Sequence, residues 1–439
     1  MSTSITRFQV AGNLAWYGTS MGINAVSRFV CLMLLWRSLD FREEQNYALL
    51  QILVGFFHVT ADFGIENAVV RFSREIANAL QTALKAVGRI TVLLLLPLSC
   101  SAGMYWLLAR GDFGAAAACL AGYGYAVFQI VAAFQRAKGN ARQYAVWNTG
   151  RNLLVTAAIL GGYFGSDGDL SLTYWFLVQG LVSLGAAPAL FLCEGGAKEL
   201  REGNAVELKA YAAYVVPVFF TNLLVWSEGF IDIAFLSHYH PHTLPPYRLM
   251  LDYAVFFSYF GLVINKAWPA LYFRISRRTG EAWKVDDQVV RAHFGAGLAV
   301  VGMGAAAAPV MTLLAGEARS EASRGVVVLI LAANALGVLF YMMRPYLEYT
   351  HDTLGILLVF LAAVLVDIGG NALLVPPFQM RGAALSGLAT FLVIFWGMLI
   401  RTRALGSKRR VAMKCAVQQV VFGMAAAAVV LLQESFMGG

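Results

Sequence analysis

The chain has 439 residues, 59% of them hydrophobic and only 13% charged, with a formal net charge of +8 and a mean hydropathy of +0.65. A water-soluble domain carries roughly 45–50% apolar and about 25% charged residues. A soluble enzyme, a disordered chain and a nucleic-acid-binding protein are therefore set aside at the outset. Five cysteines, Cys31, Cys100, Cys119, Cys193 and Cys415, sit in or beside apolar runs without CxxC spacing. They read as small hydrophobes, not as a disulfide frame or a metal site.

In chain order, continuous apolar runs fall at about 11–36, 46–70, 90–109, 114–135, 147–163, 172–193, 210–236, 249–272, 292–315, 325–343, 354–374, 382–400 and 412–432. Each is near the ~20 residues a helix needs to cross a hydrocarbon core. The runs do not alternate, so helices rather than barrel strands satisfy the backbone there. The first run is too long for a signal peptide and has no A-x-A-like end, so it is expected to be retained. The predicted fold is an all-α polytopic membrane protein of 12–13 helices.

Lys and Arg in the loops orient these spans. With a cytoplasmic N-terminus, the inner loops hold 24 basic residues and the outer loops 7, leaving Arg28 and Lys266 inside spans. The basic charge thus faces anionic lipid and calls for no nucleic acid. The longer inner loops divide the chain into an N-terminal lobe, 1–193, a cytoplasmic linker, 194–209, a C-terminal lobe, 210–400, and a basic loop with an extra apolar helix, 401–439. The segment from Arg71 to Ile90 has apolar residues at helical spacing between basic ends. It is expected to lie along the inner surface.

Ionisable residues inside a span cost about 2.5–3.5 kcal/mol each on insertion scales, so each is a functional candidate. Asn13, Tyr17, Ser20, Asn24 and Arg28 are spaced 4, 3, 4 and 4, which is one helix face. Arg28, Asn24, Asn13 and Lys266 are the expected substrate-binding set, although polar contacts between packed helices account for the Ser and Asn equally well. His58, Asp62 and Glu66 recur at i, i+4 and i+8. Asp62, His58 and Asp367 are the expected ion-coupling residues, with structural ion pairing as the competing reading. Glu228, Asp232 and Asp252 form an expected charge cluster at the outer gate, near Arg248. The HYHPH segment with His238, His240 and His242 is broken by Pro241 and has no cysteine partner, so no metal is expected. No Walker sequence, GxSxG or Gly-rich nucleotide loop is present. Neither an ATP-driven pump nor an enzyme is expected, and no cofactor.

Several passages resemble a known family. ADFGIENAVVRFSRE ends the second span with a small-acid-Gly turn and a basic loop. FQRAKGNARQYAVWNTGR follows the fourth. YVVPVFFTNLLVWSEGFIDIAFLSHY and YRLMLDYAVFFSYFGLVINKAWPALYFRISRR form a Pro-bearing seventh and a Tyr-rich eighth helix. RGAALSGLATFLVIFWGMLI makes a small-residue twelfth. In this order they resemble the Wzx-type flippases of the multidrug/oligosaccharidyl-lipid/polysaccharide exporter superfamily. The resemblance covers about a quarter of the chain, and a thirteenth apolar segment departs from it. It implies two six-helix lobes around a central cavity and alternating access. It also implies an undecaprenyl-diphosphate-linked oligosaccharide as substrate, a proton or sodium ion as coupling partner, and cationic lumen residues, for which Arg28 is the nearest match. A polysaccharide polymerase as partner and a bacterial inner membrane location follow from the same resemblance. The alternative is a cation-coupled multidrug antiporter of the same superfamily, because six acids and two bases lie inside the spans.

Overall fold

A computed structural model describes residues 7–72, 96–111, 113–193, 208–279 and 324–402, with scattered positions within 291–306 and 414–422. Most of the predicted segments at 292–315 and 412–432, the surface helix beyond Phe72 and nearly all of the 194–209 linker lie outside the described residues. Eleven helices account for almost all of the rest: α1 (Arg7–Ser38), α2 (Phe41–Asp62), α3 (Ile65–Phe72), α4 (Leu96–Arg110), α5 (Gly114–Lys138), α6 (Ala141–Gly165), α7 (Leu172–Cys193), α8 (Leu208–Tyr239), α9 (Leu244–Thr279), α10 (Arg324–Tyr349) and α11 (Thr353–Arg401). Six of them are long and apolar enough to cross a membrane, or seven if the bent pair α2–α3 is one span.

The chain folds as two compact units, Met1–Trp226 and Ser227–Gly439, so the boundary falls within α8. In the first unit, α5 packs against α2, α4 and α7. Its GAAAACLAGYG start lets backbones approach closely: Gly122 meets the Val54 carbonyl, and a Cβ on Gly124 would lie 2.6 Å from the Gly180 carbonyl. Small residues at helix contacts are the usual solution in lipid, where van der Waals packing drives association. Asp40 opens α2 with a capping box, accepting from the Glu43 N–H at 2.8 Å while its own N–H donates to Glu43 Oε2 at 3.1 Å.

The span predicted at 46–70 is not one straight helix. Phe63 and Gly64 take left-handed conformations (φ 48° and 74°), and the axis bends by 41° between α2 and α3. Gly64 also sits tightly against Val218 and the Val215 carbonyl of α8. A side chain there would meet both an unfavourable φ and a closed space.

In the second unit, α10 packs against α9 and α11. α11 is two arms, 353–378 and 380–401, folded back at Gln379 (φ 52°). Pro376 and Pro377 precede the break, and neither supplies an N–H to continue the helix. The arms run antiparallel: Gly382 meets Leu374, Gly370 meets Ser386, and Gly397 meets Val359. These are the spans predicted at 354–374 and 382–400. Outward-facing Leu354, Leu358, Leu361, Leu365 and Leu373 leave a broad apolar surface, as lipid contact requires.

Candidate functional site

The first arm of α11 buries Ile356, Phe360, Val364, Asp367, Asn371 and Val375, a 3–4 residue spacing that defines one helix face. Two polar residues therefore enter an otherwise apolar stripe. Asn371 Nδ2 lies 2.9 Å from Asp232 Oδ1 of α8, 2.9 Å from Asp367 Oδ1 and 3.1 Å from Ser386 Oγ on the second arm. Ser386 Oγ donates toward Asp367 Oδ1 at 3.0 Å. Tyr247, in the first turn of α9, donates its hydroxyl to Asp232 Oδ2 at 2.5 Å. Asp367, Asn371, Ser386 and Thr390 have no solvent exposure. Glu228, one turn before Asp232 and partly buried, is close enough for its charge to act on both Asp232 and Asp367.

Two enclosed oxygens in this cluster, Asp367 Oδ2 and Asn371 Oδ1, have no hydrogen-bond partner. Among the described residues no Lys or Arg pairs with Asp232 or Asp367. An unpaired buried carboxylate oxygen costs several times more than a satisfied one. The arrangement, with two acids, an amide oxygen and two hydroxyls converging from three helices, is the donor set of a small hard cation or a proton. Among the described residues no group of three or more His, Cys, Asp or Glu is placed to hold a metal ion.

Other sequence candidates in this unit have the following partners. Asp252 is buried and accepts from Arg248 of its own helix at 2.9 Å. Lys266 is buried on α9. Of the HYHPH segment, His240 Nε2 donates to the Pro376 carbonyl at 3.1 Å, tying this loop to the end of the first α11 arm. Arg344 and Glu348 form an i, i+4 pair at 2.7 Å.

The first unit handles its polar groups differently. Tyr17 and Ser20 of the α1 stripe are buried against α6. The rings of Tyr17 and Tyr144 are 5.2 Å apart, and Ser20 Oγ receives hydrogen bonds from Thr149 (3.0 Å) and Asn148 (3.3 Å). That end of the stripe is helix-to-helix contact. Asn24 is buried with its Oδ1 unpartnered, and Arg28 is partly buried a turn further on. Asn13 lies on α1, and its side chain is outside the described set.

The His58–Asp62–Glu66 sequence does not form one helical face, because the break at Phe63–Gly64 intervenes. Asp62 spans that break: its two oxygens accept from the N–H groups of Gly64 (3.1 Å) and Glu66 (2.9 Å). Glu66 pairs with Arg136 at 2.5 Å. The His58 ring lies 4.9 Å from that of Tyr125. Arg151, counted in the sequence as an inner-loop residue, sits ten positions into α6 and is 7% exposed. Its guanidinium lies 4.7 Å from the Tyr125 ring centre, and its Nε donates to Ser183 at 2.8 Å.

The sequence reading missed Asn371, Ser386, Tyr247 and Arg151. Asn371 had a readable signal, since it stands at i+4 from Asp367 inside an apolar run. Ser386 is indistinguishable from small-residue packing, and Tyr247 precedes its apolar run. Arg151 stands at the polar start of the 147–163 run, among Asn148, Thr149 and Asn152, and so reads as a loop residue.

No family model matches the sequence, and no curated protein does. Solved structures match along the chain. A mutant of the Vibrio cholerae MATE transporter VcmN has a TM-score of 0.69 at 11% identity, covering 92% of this chain and 98% of its own. A MATE crystallised in complex with MaD5 gives 0.68 at 12%, covering 92% and 99%. The eukaryotic MATE transporter AtDTX14 gives 0.64 at 14%, covering 93% and 99%. The chain has the fold of MATE transporters. Within this fold, among the described residues, four of the six buried acids lie in the second unit and three of the four buried arginines in the first.

Proposed function

We propose that the chain is an ion-coupled membrane transporter of the multidrug/oligosaccharidyl-lipid/polysaccharide exporter type, working by alternating access in a bacterial inner membrane. The observation that carries this reading is the enclosed Asp232–Asp367–Asn371–Ser386 cluster with two undonated oxygens. A cation or proton bound there offsets the cost of the buried acids. If it binds one conformation more tightly than the other, it shifts their populations by that difference alone. Reversing a 1:99 equilibrium takes a ~10⁴-fold preference, which two carboxylates around one ion can supply.

We further propose an undecaprenyl-diphosphate-linked oligosaccharide as cargo, moved from the inner to the outer leaflet. Support comes from the first unit, where Arg28 and Arg151 place cations within the helix bundle. A guanidinium is always charged and grips phosphate oxygens through a planar fork. Arg28, with Asn24 one turn before it on the same helix, is the proposed diphosphate contact. The second reading, a cation-coupled drug antiporter, is favoured by the MATE transporters that share the fold.

One experiment separates the two. In a host lacking this chain, lipid-linked oligosaccharide and surface polysaccharide are measured beside efflux of a cationic dye, with and without the restored gene. Accumulated lipid-linked intermediate that clears on restoration supports the flippase. Restored dye efflux with unchanged polysaccharide supports the antiporter.

A further inference from the structure

We propose that Tyr247 is a positioning residue for the cation site: by occupying one oxygen of Asp232, its hydroxyl sets how strongly the cluster draws an alkali cation. The inference rests on the cation-site reading above and adds a determinant of affinity to it.

The cluster's four carboxylate oxygens are unevenly served. Asp232 Oδ1 takes the Asn371 amide, and Asp232 Oδ2 takes Tyr247. Asp367 Oδ1 takes Asn371 and Ser386, while Asp367 Oδ2 takes none. An entering cation thus meets two oxygens without donors, Asp367 Oδ2 and Asn371 Oδ1, and a third, Asp232 Oδ2, that a neutral donor already holds. Hydrogen bonds to a carboxylate are about twice as strong as neutral ones, so this donor competes in earnest.

Tyr247 is held for the role. It is 1% exposed, so it cannot exchange Asp232 for water. Pro245 and Pro246 fix the backbone just before it at the start of α9, a position where proline fits the helix. The preceding turn, Pro241–Thr243, is pinned by the Thr243 hydroxyl on the His240 carbonyl at 2.8 Å and by His240 on Pro376. The loop therefore anchors the phenol against α8 and the end of the first α11 arm together. Glu228, a turn away on α8, lies near both carboxyls and makes no hydrogen bond to Asp232, whose oxygens are taken by Asn371 and Tyr247.

Tyr247→Phe keeps the ring and deletes one donor. The cation then meets three undonated oxygens instead of two. The full-length chain, purified in lipid nanodiscs, is unfolded thermally against rising NaCl or LiCl, with choline chloride holding ionic strength constant and pH fixed. The expected result is a wild-type protein stabilised by sodium or lithium, and Tyr247→Phe reaching half-stabilisation at about one tenth the concentration. Tenfold corresponds to about 1.4 kcal/mol. Asp232→Asn should flatten the response.

A lower starting stability with an unmoved midpoint would make Tyr247 merely structural and overturn the proposal. If Tyr247→Phe does not fold, 3-fluorotyrosine at this position strengthens the donor without changing the fold. It should raise the midpoint, and an unchanged midpoint overturns the proposal equally. A wild-type protein indifferent to both alkali ions removes its premise. The wider reading is judged separately, by gradient-driven transport, in which a proton can serve as the ion.

Discussion

The acids of the second span, in the first unit, and the acids around the first α11 arm, in the second, are buried by opposite strategies. In the first, each acid of the second span answers to something specific: Asp62 to two backbone N–H groups across a helix break, Glu66 to Arg136. Its cations lie against rings and hydroxyls, as Arg151 does on Tyr125 and Ser183. In the second, Asp232 and Asp367 share one amide and leave buried oxygens unsatisfied. An acid with a partner committed to it is part of the scaffold, whereas one with a bare buried oxygen calls for a ligand. The difference separates residues that shape the fold from residues placed to hold the proposed ion.

The largest expected effect on that contrast is at Arg28. Arg28→Ala should insert in normal amount and abolish cargo movement, with Arg28→Lys retaining part, because an ammonium keeps the charge but loses the fork. Membrane abundance measured beside surface polysaccharide checks it. Unchanged polysaccharide would remove Arg28 from the mechanism.

Next comes the buried pair that closes the first unit's break. Glu66→Gln strands Arg136, which is 3% exposed. Losing one partner of a buried pair costs about 3–5 kcal/mol. A clear drop in unfolding temperature in detergent is expected, and a shift within error would show that the pair is dispensable.

Asp62→Ala is a smaller structural change. It removes two backbone acceptors at the Phe63–Gly64 break and should cost about 1–2 kcal/mol. Gradient dependence should persist, since the carboxylate is committed to the turn. Its disappearance would return Asp62 to the coupling role that its place in the second span suggests. Asp252→Asn should act least, because its partner Arg248 is on the same helix and partly exposed, leaving the Asp232 cluster untouched. Ion-gradient dependence within twofold of wild type in vesicle transport is the expected result.

These residues also show how much the sequence discloses. Span positions were readable because burial in lipid demands long apolar runs, and the two arms of α11 coincide with the runs at 354–374 and 382–400. Asp367 was readable because a lone acid in such a run is costly. Its partners were not, because convergence of Asp232, Asn371 and Ser386 depends on how three helix segments pack, and periodicity describes one helix at a time. The same limit made His58, Asp62 and Glu66 resemble a ladder. Their spacing is helical, but the left-handed Phe63 and Gly64 interrupt the helix between the second and third. Arg28 and Arg151 show the opposite asymmetry: the first stands out in an apolar run, while the second hides at the polar start of one.

The most direct test of the cation site is cargo transport into vesicles under an imposed sodium or proton gradient, comparing wild type with Asp367→Asn at matched protein content. The account predicts that a gradient of one of these ions accelerates the wild type and that Asp367→Asn no longer responds to it. Undiminished gradient dependence in Asp367→Asn would contradict it.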